Sequence, residues 1–244
     1  MDSALSTMPL QLEEGWRALG LWKDVSLGAA MAAAARVRPE TPLHFFNAQG
    51  ERRTTLGEVH AQGLRLAGSL RAMGLRPGDP IAMQMPNGLE NAVLFQAAAI
   101  LGCTLLPIVH IYGPHELAHI LADSGAKALF IPDAWRNIDF LDRLSRLPDL
   151  SELRHRIVIG ETAPQGTTAF SALPQGEAPA IIDGANGCAL LLYTSGTTAA
   201  PKGVRHTSSS LLAELSAQSR GADQDYCLSP WPSGHIAGTL AVLG

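Results

Sequence analysis

The sequence has 244 residues, 46% of them hydrophobic, and 18 Lys and Arg against 22 Asp and Glu give a formal net charge of −4. That length suffices for one large or two small domains around a substantial core. The charge balance, with no Lys/Arg stripe anywhere along the chain, argues against nucleic acid as a partner.

The N-terminus carries Asp2, Glu13 and Glu14 and no basic run, which argues against a secretory signal. The three cysteines, Cys103, Cys188 and Cys227, lie far apart in apolar surroundings. They read as reduced core thiols of a cytoplasmic protein, and their spacing suits no metal.

Helices are expected over residues 10–20 and 27–37, the second ended by Pro39. Residues 43–46 read as a strand and 47–50 as the turn after it. Thr55-Leu-Gly-Glu58 is a capping box, and Leu66, Leu70 and Met73 follow on one helical face as far as Gly74. Pro77-Gly-Asp79 is a turn, 81–85 a short strand, and Pro86-Asn-Gly88 opens a helix that Gly102 closes.

The long apolar run 92–111 is interrupted by Gln96, Gly102, Thr104, Pro107 and His110. A helix, a glycine stop and a buried strand explain it better than a membrane span. A strand over 105–109, a helix over 115–124, a strand over 128–131, a helix over 135–147 and a strand over 156–159 complete the pattern. Strands alternating with helices imply an α/β fold with helices layered on a largely parallel sheet. Residues 161–187, rich in Pro, Gly, Ala and Thr, read as a surface connector.

The sequence then changes character. The apolar run 188–193 reads as a buried strand. Thr194, Ser195, Gly196, Thr197 and Thr198 follow at once, and Pro201 and Gly203 bracket Lys202. A strand feeding a small-residue loop with hydroxyls, backbone N–H groups and one cation suits a bound polyphosphate. The donors meet phosphate oxygens, Gly196 lets the backbone come close, and Lys202 offsets negative charge. The Walker loop does not fit, because Pro201 stands where its glycine belongs and Gly203 where its magnesium-binding hydroxyl belongs. A helix over 208–220 is expected next.

Tyr193-Thr-Ser-Gly-Thr-Thr-Ala-Ala-Pro-Lys-Gly-Val204 resembles the phosphate-loop signature of the adenylate-forming superfamily. The departure is Ala199, where that family usually has glycine. Thr55-Leu-Gly-Glu-Val59, Gly74-Leu-Arg-Pro-Gly-Asp79, Met85-Pro-Asn87, Leu101-Gly-Cys-Thr-Leu-Leu-Pro107 and Glu116-Leu-Ala-His-Ile-Leu-Ala-Asp-Ser-Gly-Ala126 are similar to segments found in the same order in that family. The resemblance implies an incomplete N-terminal large domain of the adenylate-forming fold. It divides the chain into an N-terminal helical segment (1–42), a first α/β subdomain with its connector (43–187) and the start of a second subdomain (188–244).

A second constellation, Pro232-Ser-Gly-His235-Ile-Ala-Gly238, falls where acyl-CoA synthetases place a histidine beside the acid. The resemblance therefore makes His235 the residue at the carboxylate. Amino-acid adenylation domains typically place an aspartate in this neighbourhood. None occurs between Pro230 and Gly244, which favours a carboxylic acid without an α-amine. His206 and Arg205, after the loop, read as capping and solvation residues, and His110 as a half-buried structural histidine.

The implied reaction joins a carboxylate to the α-phosphate of Mg-ATP, with Mg2+ accompanying the nucleotide, and releases pyrophosphate. A thiol, commonly that of coenzyme A, then displaces AMP. The family's ribose-binding aspartate and catalytic lysine lie further along its chain, so these residues are expected to need a missing C-terminal portion and to be inactive alone as an acid–thiol ligase. The alternative is a short non-catalytic relative that binds a nucleotide, an acid or a partner protein.

Overall fold

The computed structural model describes residues 10–47, 50–161, 163–182, 187–194, 200–218 and 228–243. Two helices, α1 (Leu10–Ala18) and α2 (Leu27–Val37), precede an antiparallel hairpin of β1 (Pro42–Asn47) and β2 (Gly50–Thr55). The chain continues through α3 (Leu56–Ala72), β3 (Pro80–Met83), α4 (Leu89–Leu101), β4 (Thr104–Pro107), α5 (Pro114–Ser124) and β5 (Ala128–Pro132). A short hairpin of β6 (Ala134–Trp135) and β7 (Ile138–Asp139) leads into α6 (Phe140–Ser145), then β8 (His155–Ile159), β9 (Thr168–Ala169) and a single 3-10 turn at Phe170–Ala172. The last described elements are β10 (Cys188–Thr194), β11 (Lys202–Thr207), α7 (Ser208–Gln218) and α8 (Ile236–Leu243).

The main sheet has seven strands in the order β11-β10-β4-β3-β5-β8-β9. Every neighbouring pair is parallel except β10–β11, which is an antiparallel hairpin. The expected α/β architecture on a largely parallel sheet is therefore present. Strand residues alternate between its two faces, as the pleat requires. Ile81, Met83, Leu105, Phe130 and Leu190 join the core under α2, α3 and α4. Ala82, Leu106, Leu129, Ile131 and Leu191 join the core under α5 and α6, with Leu117, Ile120 and Phe140. Each such leucine or phenylalanine contributes about 2 kcal/mol by leaving water.

Helix α4 is apolar nearly all round and is buried nearly all round, packed against α2, α3 and β4. It occupies the centre because no face of it suits water. Gly102 ends it in the left-handed region at φ 75°, where a glycine carries no Cβ penalty. Thr55 and Glu58 start α3 with both bonds of a capping box, Thr55 Oγ1 accepting from Glu58 N at 3.2 Å and Thr55 N donating to Glu58 Oε2 at 3.1 Å. Cys103 is a buried thiol as expected, pushed up to about 12 by desolvation and the nearby Asp79 carboxylate. Cys227 lies outside the described residues. Among the described residues no helix is long and apolar enough to cross a membrane.

Four expectations change. The helix over 135–147 shrinks to α6, because residues 134–139 turn back on themselves as β6–β7, with Arg136 at φ 54° in the tight turn. Asp139 then caps α6 by accepting from Asp142 N. Residues 50–55 and 202–207 form strands where none was expected. Both are edge strands with the same mostly exposed pattern, so neither carries an apolar alternation of its own. The expected connector 161–187 contains β9, which extends the sheet beyond β8. The helix over 208–220 is described as far as Gln218, and the expected turn residues Ala48 and Gln49 lie outside the described residues.

Candidate functional site

Ligands of open parallel sheets gather outside the carboxyl ends of the strands. Here that edge is formed by the ends of β10 at Thr194, β4 at Pro107, β3 at Met83 and β5 at Pro132. Thr194 pairs with Lys202 and Tyr193 with Gly203, so the two ends of the β10–β11 hairpin stand at that edge of the sheet. Ser195, Gly196, Thr197, Thr198 and Ala199 lie outside the described residues, while Thr194 and Lys202 at the loop's two feet are both exposed.

Side chains of α5 brace both feet. Tyr193 donates its hydroxyl to Asp123 Oδ2 at 2.6 Å, and His119 Nε2 donates to the carbonyl of Pro201 at 3.0 Å. Burial, reinforced by the Asp123 carboxylate, raises Tyr193 far above the ordinary phenol range, so the hydroxyl keeps its proton. Gly203 keeps this crossing open. A Cβ there would lie 2.9 Å from Leu191 Cδ1 and 3.2 Å from Tyr193 Cζ.

The loop before α8 reaches the same edge by another route. Gly234 packs on the backbone just after β4, where an added Cβ would lie 2.5 Å from Val109 N. Asn87 Nδ2 donates to Trp231 O at 2.7 Å, and its Oδ1 accepts from Ser233 N at 3.0 Å. Asn91 Nδ2 donates to Ser233 Oγ at 2.8 Å, and Thr239 Oγ1 donates to Ser233 O at 2.6 Å. Asn91, Ser233 and Thr239 are at most 2% exposed, so these are bonds shielded from water.

His235, exposed at the mouth of this loop, is the residue from which α8 starts. Its backbone N–H donates to Pro232 O at 3.0 Å, and its carbonyl accepts from Thr239 N at 2.9 Å. Its Nδ1 accepts from Ala237 N at 3.3 Å, satisfying one of the amides that a helix start leaves without a partner.

The structure thus brings Thr194, Lys202 and His235 to one edge of the sheet. His206 and Arg205 are not there as a loop-to-helix junction; they lie within β11, opposite Leu190 and Leu191. The junction is capped instead by Thr207 and Ser210, each donating its backbone N–H to the other's hydroxyl, at 3.0 and 3.2 Å. Burial lowers the proton affinity of His206. His110 is half-buried edge-on against Trp135, with ring centroids 4.8 Å apart, and its carbonyl accepts from Arg143 Nη1 at 2.6 Å. Desolvation first, then Arg136 and Arg143, lower its proton affinity.

Sequence reasoning missed Asn87, Asn91, Asp123 and His119. Asn87 was legible only as a turn residue, and its partner Ser233 lies 146 residues away along the chain. Among the described residues no group of three or more His, Cys, Asp or Glu side chains closes on a metal ion.

The chain matches the family model described as AMP-binding enzyme over residues 31–244. It is 31% identical over 196 residues to the long-chain-fatty-acid–CoA ligase FadD13 of Mycobacterium tuberculosis, a match covering 78% of this chain and 37% of that protein. It is 30% identical over 240 residues to the medium-chain fatty-acid–CoA ligase of Escherichia coli, covering 94% of this chain and 42% of that protein. Among solved structures, the apo structure of Mycobacterium smegmatis MbtA superimposes with a TM-score of 0.83 at 26% identity, over 97% of this chain and 45% of that one. The chain therefore spans less than half the length of each of these relatives.

Proposed function

The chain belongs to the AMP-binding enzyme family, and from that membership we propose that it holds the phosphates of ATP and the carboxylate of an acid within an ATP-dependent acid–thiol ligase. The observation that carries this reading is the convergence at one sheet edge of the hairpin foot at Thr194 and Lys202 with the loop bearing His235. Two chemically different demands, polyphosphate and carboxylate, are met side by side by residues some forty positions apart.

In this reading the loop hydroxyls and amides from Thr194 through Ser195, Gly196, Thr197 and Thr198 donate to phosphate oxygens, and Lys202 places a cation beside them. The donor set suits ATP: exposed hydroxyl and ammonium groups at the two feet of one hairpin. His235 faces the acid. With no acidic residue between Pro230 and Gly244, an α-ammonium group finds no anionic partner there, so the acid is one without an α-amine. Magnesium enters with the nucleotide, and coenzyme A is the proposed acyl acceptor, as in the named activities of the ligase relatives. No described residue is assigned to either.

Calorimetric titration with MgATP tests the phosphate half. Lys202→Ala is expected to weaken binding tenfold or more, which is about 1.4 kcal/mol; unchanged affinity removes Lys202 from the site. Carboxylate-dependent ATP–pyrophosphate exchange is expected to be absent for the 244-residue chain by itself. Exchange by this chain overturns the claim that it carries only part of the machinery.

A further inference from the structure

We propose that Asn87 and Asn91 are positioning residues that set His235 as a hydrogen-bond donor through Nε2, and this rests on the reading of His235 as the residue facing the acid. Asn87 grips the loop backbone on both sides of Pro232, donating to Trp231 O and accepting from Ser233 N. Only a primary amide offers a donor and an acceptor at that spacing; a carboxylate would set an acceptor against the Trp231 carbonyl. One helical turn further along the chain, Asn91 donates to Ser233 Oγ from a position 1% exposed.

Asn91 makes this single bond at a cost. Its Oδ1 is buried without a hydrogen-bond partner among the described residues, and an apolar side chain of similar volume would carry no such penalty. A residue that breaks the rule of satisfied buried polar atoms beside a candidate site is expected where function requires it. The bond fixes Ser233, whose carbonyl in turn accepts from the fully buried Thr239 of α8.

The consequence falls on the imidazole. With residues 231–234 fixed and Gly238 pressed against Pro232, α8 begins at Ile236 and His235 caps it, Nδ1 accepting from Ala237 N. An accepting Nδ1 carries no proton, so in the neutral ring the proton sits on Nε2. The ring then presents a donor outward, the polarity a carboxylate requires. Protonation of the ring removes the Nδ1 acceptor and with it the cap.

The test uses the 244-residue chain, with octanoate as the acid probe, and reads Ala237 amide exchange by NMR, octanoate affinity and MgATP affinity. The variants are Asn87→Asp, Asn91→Leu, His235→Ala and each asparagine variant combined with His235→Ala. Asn91→Leu keeps the branched shape of the side chain without its polar atoms and serves if Asn87→Asp fails to fold. The expected result is faster Ala237 exchange and octanoate binding at least tenfold weaker in each asparagine variant, with MgATP affinity retained. In the His235→Ala background the asparagine changes are expected to cost no further octanoate affinity.

Equal losses with and without His235 overturn the proposal, since the asparagines would then act through something else. Unchanged Ala237 exchange in both asparagine variants overturns it as well. If His235→Ala leaves octanoate binding intact, the reading of His235 as the acid residue fails, while Ala237 exchange still decides the positioning.

Discussion

The β10–β11 hairpin and the loop before α8 stand at the same edge of the sheet, yet they are held there by different means. The hairpin rests on a ladder from Cys188 and Thr207 to Thr194 and Lys202, with two side-chain braces from α5 added near the loop. Among its described residues the loop before α8 joins no ladder. It depends on Asn87, Asn91, Thr239 and two close glycine contacts. A ladder spreads its load over many backbone groups and tolerates loss of a side chain, whereas a loop hung from a few side chains concentrates it. The hairpin is thus built for permanence of register, and the loop bearing His235 for dependence on a few contacts.

The sharpest way to break this comparison is Gly238→Ala. An added Cβ would lie 2.1 Å from Pro232 O, a backbone atom that cannot swing aside. The substitution is expected to cost about 3 kcal/mol, read by chemical denaturation, and to release the Asn87 and Asn91 contacts together. A variant as stable as the parent contradicts the claim that the loop's few contacts carry its position.

On the hairpin side the effect is smaller. Tyr193→Phe removes one bond to Asp123, whose exposed carboxylate returns to water. A loss of about 1 kcal/mol is expected, with the β10–β11 register intact by amide exchange. Loss of that register would show that the brace, and not the ladder, holds the hairpin.

The smallest effect per residue comes from acid. Desolvation comes first among the causes that hold His110, His155 and His206 below the ordinary imidazole value of 6.5. The unfolded chain therefore binds more protons than the folded one once pH falls below 6.5. This contribution to stability is complete above that value and is lost as pH drops through the depressed folded values. Thermal unfolding followed between pH 7.5 and 5 is expected to show falling stability, and substitution of His206 by Gln to flatten the slope.

Much of the central fold was legible because it follows from local rules. The all-round apolar character of 89–101 demanded burial, the Thr55–Glu58 box marked the start of α3, and Gly102 marked the end of α4. β2 and β11 were not legible, because an edge strand is defined by its partner's ladder and both sequences are polar along their length. The shortened α6 has a similar cause. Leu141, Leu144 and Leu147 carry a helical spacing, but Trp135 and Ile138 pair across a turn before the helix can begin.

The candidate site divides in the same manner. The segment proposed to hold phosphate stood out because its residues are consecutive, although Ser195 to Ala199 lie outside the described residues. His235 was singled out only through the resemblance of Pro232-Ser-Gly-His235-Ile-Ala-Gly238 to a family segment. The asparagines that hold it were hidden, since the bond between Asn87 and Ser233 spans two distant parts of the sequence and leaves no periodic trace.

The central claim is that nucleotide phosphate and acid are held together at the carboxyl edge of the sheet. Amide and ring NMR shifts of the labelled 244-residue chain, titrated with MgATP and then with a fatty or aromatic acid, test it most directly. MgATP is expected to perturb Thr194 and Lys202, and the acid to perturb His235 and Ala237. Perturbations confined to the opposite end of the strands, or none at either group, would contradict it.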